Sequence, residues 1–205
     1  MTEDEAQAWL RDELGVSRET NERIERFISL LHAEMDHQNL ISKGSFEHIW
    51  ARHIVDSAQL LPFAMRLESG SSWLDLGTGA GFPGIIVAIL GGYQVTMVES
   101  RKRRADFLTQ AIEALNIGAN ARVLHSRLET VEGFPADIIS ARAFAPLDRL
   151  IALSHRFSTE NTLWLLPKGK NAVRELQGLS PNWQKMFHVE QSLTDPEAGI
   201  LVGNA

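Results

Sequence analysis

Residues 73–84 constrain the fold of this chain more than any other segment. An apolar run that carries one acid, Asp75, passes directly into a glycine-rich stretch, and a second apolar run, 85–90, follows. The four glycines fall within eight residues: Gly77, Gly79, Gly81 and Gly84. This order predicts a strand, a turn and a helix, because glycine accepts positive φ angles and lets the backbone approach a ligand closely. The unpaired N–H groups at the helix start would then face an oxygen-rich ligand.

A second acid, Glu99, ends the next apolar run, residues 93–98. In an alternating α/β sheet, an acid at this position commonly binds the hydroxyls of a ribose. The glycines and the two acids together predict a site for a nucleoside cofactor. Two alternatives remain open from the residues alone: Asp75 as a helix-capping or turn carboxylate, and Glu99 as the N-cap of the next helix.

The spacing of Gly79, Gly81 and Gly84 also matches the fingerprint of dinucleotide sites, but two neighbours disfavour a dinucleotide. Asp75 would place a carboxylate beside a pyrophosphate, and like charges repel. Pro83 removes an N–H group from the helix start, where a pyrophosphate needs donors. S-adenosylmethionine, which lacks phosphate and has a cationic centre, fits better. We expect Asp75 and the glycine loop to hold its amino-acid part, and the acid after the second strand to hold its ribose.

Apolar periodicity divides the chain into two parts. Residues 3–67 are predicted to be helical, with a turn at 41–45 and a last helix from about 47 to 67 that Pro62 bends or ends. Beyond residue 71, the predicted strands are 72–76, 93–98, 121–124, 136–140 and 162–166, and the predicted helices are 84–91, 101–115, 146–156 and 171–178. Residues 183–191 and 198–202 are predicted to form a closing hairpin.

This alternation predicts a parallel sheet with helices on both faces, and the hairpin adds an antiparallel strand. The predicted fold class is α/β, and the sheet resembles that of the Rossmann-like methyltransferases: five parallel strands plus a closing antiparallel hairpin. We expect an N-terminal helical extension over residues 1–68 and an S-adenosylmethionine-binding domain over residues 69–205.

Composition excludes several kinds of site. The 205 residues include no cysteine, which excludes disulfides, thiolate zinc sites and cysteine nucleophiles. The histidines lack a metal-ligand spacing such as His-Glu-x-x-His, so no metal is expected. The acidic N-terminus lacks the apolar core of a signal peptide, and no apolar run approaches the ~20 residues that span a bilayer. We expect a cytoplasmic protein, without a membrane partner and monomeric.

The charges are distributed unevenly. The net charge is −6, and residues 1–39 hold ten acids and four basic residues, so this arm alone accounts for −6. Residues 101–174 hold twelve basic residues and seven acids. A locally basic middle region favours a nucleic-acid substrate, although a solvated surface of mixed charge would have the same composition.

Three motifs, taken together, indicate which family the sequence resembles. They are Asp75-Leu76-Gly77-Thr78-Gly79-Ala80-Gly81-Phe82-Pro83-Gly84, Ser126-Arg127-Leu128-Glu129 and Ile139-Ser140-Ala141-Arg142-Ala143-Phe144-Ala145. With Asn39–Ser42 and Arg52–Ser57, they make the sequence similar to the small-subunit ribosomal RNA methyltransferase G family, also called glucose-inhibited division protein B. The resemblance covers the chain from about residue 37 onward. The chain departs from the family pattern at Ala141, which is an additional residue, and in its acidic arm.

The resemblance implies an S-adenosylmethionine-dependent enzyme that methylates a guanine ring nitrogen, N7, in small-subunit ribosomal RNA near the decoding site, giving 7-methylguanosine. The cofactor contacts that it implies are Gly77, Phe82, Leu128, Glu129 and Arg142. Asp75, Gly79, Gly81 and Glu99 complete the expected cofactor site. Arg142 is the expected catalytic residue, placed against the cofactor carboxylate or the guanine carbonyl oxygen.

The residue types agree with methylation of a ring nitrogen. Methylation of carbon 5 of a pyrimidine uses a cysteine nucleophile, and the chain has none. Methylation of an exocyclic amine usually goes with an Asn/Asp-Pro-Pro-aromatic loop after the fourth strand, and residues 140–146 differ from it. Guanine N7 already has a free lone pair at neutral pH. Alignment then matters more than a general base, and orientation can supply on the order of 7–11 kcal/mol.

The expected RNA contacts are Arg52, His53, Arg101, Lys102, Arg103, Arg104, Phe144, Lys168 and Lys170. The run 101–104 opens a helix, where positive charge is unfavourable with the helix dipole, so phosphate contact is one reason for it and a solvated helix face is the alternative. The resemblance places residues 52–56 near the mouth of the site; otherwise Arg52 and Asp56 would form a helix ion pair. Phe144 is expected to stack on the base or to be buried in the core.

The acidic arm disfavours tight binding to naked RNA, so the assembled small ribosomal subunit is the expected substrate. Two alternatives stay open: a methyltransferase for a small molecule or a protein, and a non-catalytic ribosome-assembly factor with the same fold. Steep salt dependence of binding would favour RNA over a small neutral molecule. The intact pattern of acids and glycines disfavours an inactive site.

Overall fold

The computed structural model describes residues 1–204 and contains one seven-stranded sheet. Its strands are β1 (Ser72–Leu76), β2 (Gln94–Glu99), β3 (Ala121–His125), β4 (Ile138–Ser140), β5 (Leu163–Gly169), β6 (Phe187–Gln191) and β7 (Gly199–Asn204). The order across the sheet is β3-β2-β1-β4-β5-β7-β6. Strands β1 to β5 are parallel, and β7 is antiparallel to both β5 and β6. The predicted sheet of five parallel strands and a closing hairpin is confirmed.

The α-helices are α1 (Glu3–Asp12), α2 (Arg18–Glu34), α3 (Lys43–Phe46), α4 (Asp56–Ala58), α5 (Leu61–Ala64), α6 (Gly84–Leu90), α7 (Lys102–Ala114), α8 (Leu147–Ser154), α9 (Ala172–Gln177) and α10 (Pro181–Gln184). A π-helix spans Trp50–Val55, and 3₁₀ turns span Leu128–Thr130 and His155–Phe157. The helices predicted after residue 71 lie within two residues of their expected bounds. No helix within residues 1–204 is long and apolar enough to cross a membrane.

Alternate residues of the central strands belong to two hydrophobic cores, one on each face of the sheet. Trp73 and Ile138 lie in the first core, whereas the adjacent Leu74 and Ile139 lie in the second. This period of two is what a strand buried on both faces requires. The first core continues under α1, α2, α6 and α7, and the second under α8 and α9. The helical extension therefore packs against the sheet in one shared core.

The start of α1 is fixed by a capping box of Thr2 and Glu5. Thr2 Oγ1 accepts from Glu5 N at 3.2 Å, and Thr2 N donates to Glu5 Oε2 at 2.7 Å. The intervening acid, Glu3, contacts residues that are distant in the sequence. Its carboxylate accepts from Trp50 N and Ala51 N, both at 3.0 Å. The first helix thus caps the π-helix and holds that segment in place.

Two predictions for the helical extension are wrong. Residues 41–45 do not form a turn, because Ser42 caps α3 and its Oγ accepts from Ser45 N at 3.1 Å. The single helix expected over 47–67 is divided into the π-helix, α4 and α5, with Pro62 in the first turn of α5. Proline is favourable there, because the first N–H groups of a helix have no partner within it.

The order of the strands reverses between β1 and β4, which lie side by side. Their register pairs Asp75 with Ser140, so the two strands end at the same level of the sheet. In doubly wound sheets, ligands bind in the crevice outside the carboxyl ends of the strands at this reversal. The segments that leave these ends, 77–83 and 141–146, therefore border the candidate site.

Candidate active site

The glycine turn, residues 77–83, leaves β1 and forms one edge of the crevice. Gly77 and Gly81 have φ angles of +64° and +101°, which favour glycine. A β-carbon at position 81 would lie 2.7 Å from Ile85 Cγ1, so the turn and the following helix could not pack as they do. A β-carbon at position 77 would collide with the ring of Phe144. The glycines are therefore required for backbone conformation and for close approach.

Asp75 is fully buried below this turn. Its Oδ1 accepts from Ser140 Oγ at 2.8 Å, and its Oδ2 accepts from Gly84 N at 3.0 Å, at the start of α6. Burial raises the pKa of this carboxyl group. Asp75 therefore takes the helix-capping alternative. Direct contact with the amino-acid part of a cofactor does not fit its enclosed position.

Glu99 ends β2 at the same crevice and is 4 % exposed. Its Oε2 accepts from Gly79 N at 3.1 Å, and its Oε1 accepts from Arg101 N at 2.7 Å. The acid joins the glycine turn to the start of α7. Each carboxylate oxygen can accept a further hydrogen bond, so the ribose contact expected of Glu99 stays a prediction.

A small cavity of about 400 Å³ opens between the glycine turn and the segment after β4. Its lining includes Gly77, Val98, Ser126, Leu128, Glu129 and Phe144. The sequence motifs that contain Gly77, Leu128 and Glu129 are thus brought together around one space. Its volume lies within the range of typical small-molecule sites, roughly 300–1,000 Å³.

A large cleft of about 1160 Å³ lies on the other side of Phe144. Its lining includes Arg52, His53, Asp56, Arg142, Phe144 and Lys168. The cleft is therefore built from the π-helix, the segment after β4 and the end of β5. It contains most of the charged side chains of the site.

Arg142 is held by several acceptors at the cleft. Its Nη1 donates to Asp56 Oδ2 at 3.0 Å and to Arg52 O at 3.1 Å, and its Nη2 donates to His53 Nδ1 at 2.8 Å. The guanidinium carbon lies 5.1 Å from the centroid of the Phe82 ring. The alternative of a helix ion pair between Arg52 and Asp56 is wrong, because Asp56 pairs with Arg142. Phe82 and Arg142 thus lie together, as one unit of the site.

His53 is 8 % exposed and has a partner at each ring nitrogen. Its Nε2 contacts Ser45 Oγ, and its Nδ1 accepts from Arg142. Burial above all, and then the charges of Arg142 and Arg52, lower the pKa of His53 to about 3. The ring is therefore neutral at pH 7, with the proton assigned to Nε2 from its partners. His53 supports Arg142, and the RNA contact expected of it stays a prediction.

The basic cluster at the start of α7, residues 101–104, binds the helical extension. Arg103 Nη2 donates to His37 O at 2.6 Å, and Arg104 Nη2 donates to Asn39 O at 3.0 Å. The Lys102 ammonium pairs at 2.7 Å with an acid one helical turn further on. These contacts give a structural reason for positive charge at a helix start. Phosphate binding by the cluster stays a prediction.

The two lysines expected to bind RNA at the end of β5 and just beyond it differ. The side chain of Lys168 is 7 % exposed, and its Nζ lies 3.0 Å from Glu175 Oε2 and 2.8 Å from Ala145 O. Contact with phosphates does not fit this position, because the charge is already bound inside the protein. Lys170 is 65 % exposed and pairs with Glu197 at the surface. Its RNA contact stays a prediction.

Sequence reasoning did not single out Ser140 or Glu175 as parts of the site. Ser140 hydrogen-bonds to Asp75 because the two residues are register partners on adjacent strands. The strand order, once known, identifies that pair. Glu175 reaches the site from α9, and no local pattern marks it.

The strand order, the glycine turn and the acid that ends β2 are those of the Rossmann-like methyltransferase fold. A solved variant of MtNAS in complex with S-adenosylmethionine has a TM-score of 0.59 and 17% identity, over 90% of this chain and 76% of that one. The ribosomal protein L11 methylase from Lactobacillus delbrueckii subsp. bulgaricus has a TM-score of 0.59 and 16% identity, over 73% of this chain and 76% of that one. At these identities the likeness establishes the fold.

The sequence itself establishes the family. Residues 20–199 match the family model described as rRNA small subunit methyltransferase G. A relative named Ribosomal RNA small subunit methyltransferase G, from Novosphingobium aromaticivorans, is 54% identical over 99% of this chain and 88% of its own length. The chain belongs to the rRNA small subunit methyltransferase G family, as its motifs indicated.

Proposed function

We propose that this protein transfers the methyl group of S-adenosylmethionine to N7 of a guanine in small-subunit ribosomal RNA. Membership of the family supports methylation of that RNA. One observation supports the ring nitrogen as acceptor: the three acids and the histidine that line the large cleft, which are its candidate bases, already have hydrogen-bond partners within the protein. An acceptor that must lose a proton would need one of them free as a general base.

Each acid of the cleft, and His53, has identified hydrogen-bond partners. Asp56 accepts three hydrogen bonds from side chains, at 2.9, 3.0 and 3.2 Å. Glu175 binds Lys168 and a backbone N–H, and Asp195 accepts from a backbone N–H at 2.9 Å. His53 has partners at both nitrogens and is neutral at pH 7. Guanine N7 suits such a cleft, because it presents a free lone pair and has no proton to lose.

We place S-adenosylmethionine in the small cavity. Gly77 presents bare backbone to it, Val98 and Leu128 offer apolar surface to an adenine, and Glu129 borders the opening. The Glu99 carboxylate would hold the ribose hydroxyls while it keeps the glycine turn in place. The cofactor, when bound, supplies an electrophilic methyl group on a sulfonium. The task left to the chain is to align donor and acceptor, which can supply on the order of 7–11 kcal/mol.

Arg142 is the residue we expect to set this alignment. Its guanidinium is held by Asp56 and His53, and its side chain is 20 % exposed at the cleft. It would bind the carboxylate of the cofactor, or O6 of the guanine, while N7 stays open for attack. Arg52 and Phe144 line the same cleft and would meet the RNA.

We further propose that the assembled small subunit, rather than naked RNA, is the substrate, and that the reaction takes place in the cytoplasm with ribosomal subunits. The acidic helices α1 and α2 belong to the arm that carries a net charge of −6. Such an arm would be repelled by bare phosphates, so a surface that includes ribosomal protein suits it better.

The test is to map 7-methylguanosine in small-subunit RNA from cells with and without the gene. Borohydride reduction followed by aniline cleaves RNA at this nucleotide. We expect one cleavage in wild-type cells that is lost in the deletion strain. The wild-type gene should restore it, and a gene with Arg142→Ala should not. Loss of a methyl group from an exocyclic amine or a ribose instead would contradict the proposal.

A further inference from the structure

The small cavity and the large cleft share one dividing wall, which consists of Phe144, Ala145 and Pro146. The Phe144 ring lies against the backbone of Gly77. The preceding residue, Ala143, has φ +50°, a conformation that alanine rarely adopts. A short irregular segment in this state needs outside contacts to hold it. Its position matters, because misplacement by about 1 Å can slow a transfer reaction greatly.

One such contact comes from Lys168, which lies at an irregularity in β5. In the pairing with β7, Pro167 lies opposite Ile200 and Gly169 opposite Gly199, so Lys168 is left without a partner. This is a β-bulge, which interrupts the ladder at Lys168. Along β5, Lys168 has the same parity as Trp164 and Leu166, which lie in the second core, and its ammonium donates to the carbonyl oxygen of Ala145 at 2.8 Å.

The other contact comes from Glu175 on α9. Its Oε2 lies 3.0 Å from the Lys168 ammonium and also accepts from Leu147 N at 2.8 Å. Leu147 is the first residue of α8, and the residue before it, Pro146, has no side-chain acceptor to cap the helix. Glu175 supplies that cap from another element, with negative charge at a helix start. The pair therefore fixes the carbonyl before Pro146 and the N–H after it.

We propose that Lys168 and Glu175 are positioning residues, which set the dividing wall between cofactor and acceptor base and act on methyl transfer through Phe144. This inference rests on the proposed placement of the cofactor in the small cavity. The proposal gives Lys168 a different role from Lys170. Lys170 lies two residues further along the chain and pairs with Glu197 at the surface.

A double-mutant cycle tests the proposal, with S-adenosylhomocysteine as the probe and calorimetry as the measurement. Lys168→Met should weaken binding about tenfold in the wild-type background and less than about twofold in the Phe144→Ala background, because residues that act through one shared backbone segment couple. The matched control Lys170→Met should leave this affinity unchanged in both backgrounds. Equal losses in both backgrounds, or no loss in either, would overturn the proposal.

The single variants show whether the placement of the cofactor fails or only the positioning role of Lys168 and Glu175. If Phe144→Ala alone leaves S-adenosylhomocysteine affinity unchanged, the cofactor does not lie in the small cavity, and the placement and this inference both fail. If Phe144→Ala changes the affinity but Lys168→Met does not, only this inference fails. A higher KM for the small subunit with unchanged S-adenosylhomocysteine affinity would instead make Lys168 an RNA contact. Should Lys168→Met fail to fold, Glu175→Gln, which keeps an acceptor for Leu147, replaces it in the same cycle.

Discussion

The two sides of the crevice hold their acids in different ways. On the side where we place the cofactor (the cofactor side), at the ends of β1 and β2, Asp75 and Glu99 accept hydrogen bonds from backbone N–H groups and a hydroxyl. On the substrate side, around the large cleft, Asp56 and Glu175 pair with the cations of Arg142 and Lys168. Neutral donors thus hold the first two acids, whereas the other two hold charged groups where we propose that the substrate binds.

This difference predicts different consequences of mutation. A lost acid on the cofactor side should disturb folding or cofactor affinity, with little dependence on salt, because its partners are neutral. A lost charge on the substrate side should disturb turnover, because it releases or removes a group that we propose to contact the reactants. The experiments below test that division from the largest expected effect to the smallest.

Replacement of Asp75 by alanine should have the largest effect, and on stability. It leaves the Gly84 N–H and the Ser140 hydroxyl buried without their partner. We expect the free energy of unfolding to fall by about 3 kcal/mol, measured by urea denaturation. Asp106→Ala, which removes an exposed acid from the Lys102 pair, is the control and should cost less than about 0.5 kcal/mol. Equal losses in the two variants would show that Asp75 does not cap α6.

On the substrate side, Arg142→Ala should lower kcat/KM about a hundredfold, which corresponds to about 2.7 kcal/mol. Arg142→Lys should not rescue it, since a single ammonium cannot replace the planar guanidinium that binds Asp56, His53 and the Arg52 carbonyl together. Methyl transfer to purified small subunits measures both. Arg18→Ala, on the exposed face of α2, is the control. Full activity of Arg142→Lys would show that charge alone suffices.

The pKa of His53 gives the substrate side a dependence on pH. Its folded value of about 3 lies below the ordinary 6.5, so the unfolded chain binds more protons between these values. The stability from neutral His53 is fully present above pH 6.5 and is lost as the pH falls toward 3, at up to about 1.4 kcal/mol per unit. When the pH is lowered from about 6.5 to about 5, we expect the free energy of unfolding of His53→Gln, measured by urea denaturation, to fall by about 1–2 kcal/mol less than that of wild type. Parallel curves would mean that His53 is not held neutral.

Glu99→Ala should weaken the binding of S-adenosylmethionine by about 1–2 kcal/mol, the loss of a hydrogen bond to a charged group. Calorimetry at roughly 50 and 300 mM salt should give the same loss, because the site is largely shielded from solvent. Glu113→Ala, on the exposed face of α7, serves as control. An affinity equal to that of wild type would remove Glu99 from the cofactor site.

The strand, glycine turn and helix of residues 72–90 could be predicted from the sequence because their signals are contiguous and each has its own local pattern. The division of residues 47–67 into three short helices could not be predicted, because the π-helix there is capped by Glu3, which lies 47 residues away in the sequence. Lys168 likewise has the pattern of an exposed basic residue. The carboxylate of Glu175 and the carbonyl oxygen of Ala145, both from other elements, hold its ammonium inside the protein. Partners that are distant in the chain decide such positions, and no local pattern encodes them.

The basic cluster at the start of α7 is the exception on the cofactor side, since it carries cations there. Arg103 and Arg104 bind carbonyl groups of the helical extension. Arg101 is exposed, and Lys102 pairs only with a neighbour on its own helix. We therefore expect Arg103→Ala and Arg104→Ala to lower the thermal stability slightly, while Arg101→Ala and Lys102→Ala leave it unchanged.

Salt dependence then separates the two roles of the cluster. If Arg101 and Lys102 meet phosphates, each alanine variant should reduce the slope of log K against log salt by about one unit for small-subunit binding. S-adenosylhomocysteine affinity should stay the same in both variants, because neither side chain lines the small cavity. An unchanged slope would assign the cluster to holding residues 37–39. The charges that meet the RNA would then lie on the substrate side alone, and the division between the two sides would become complete.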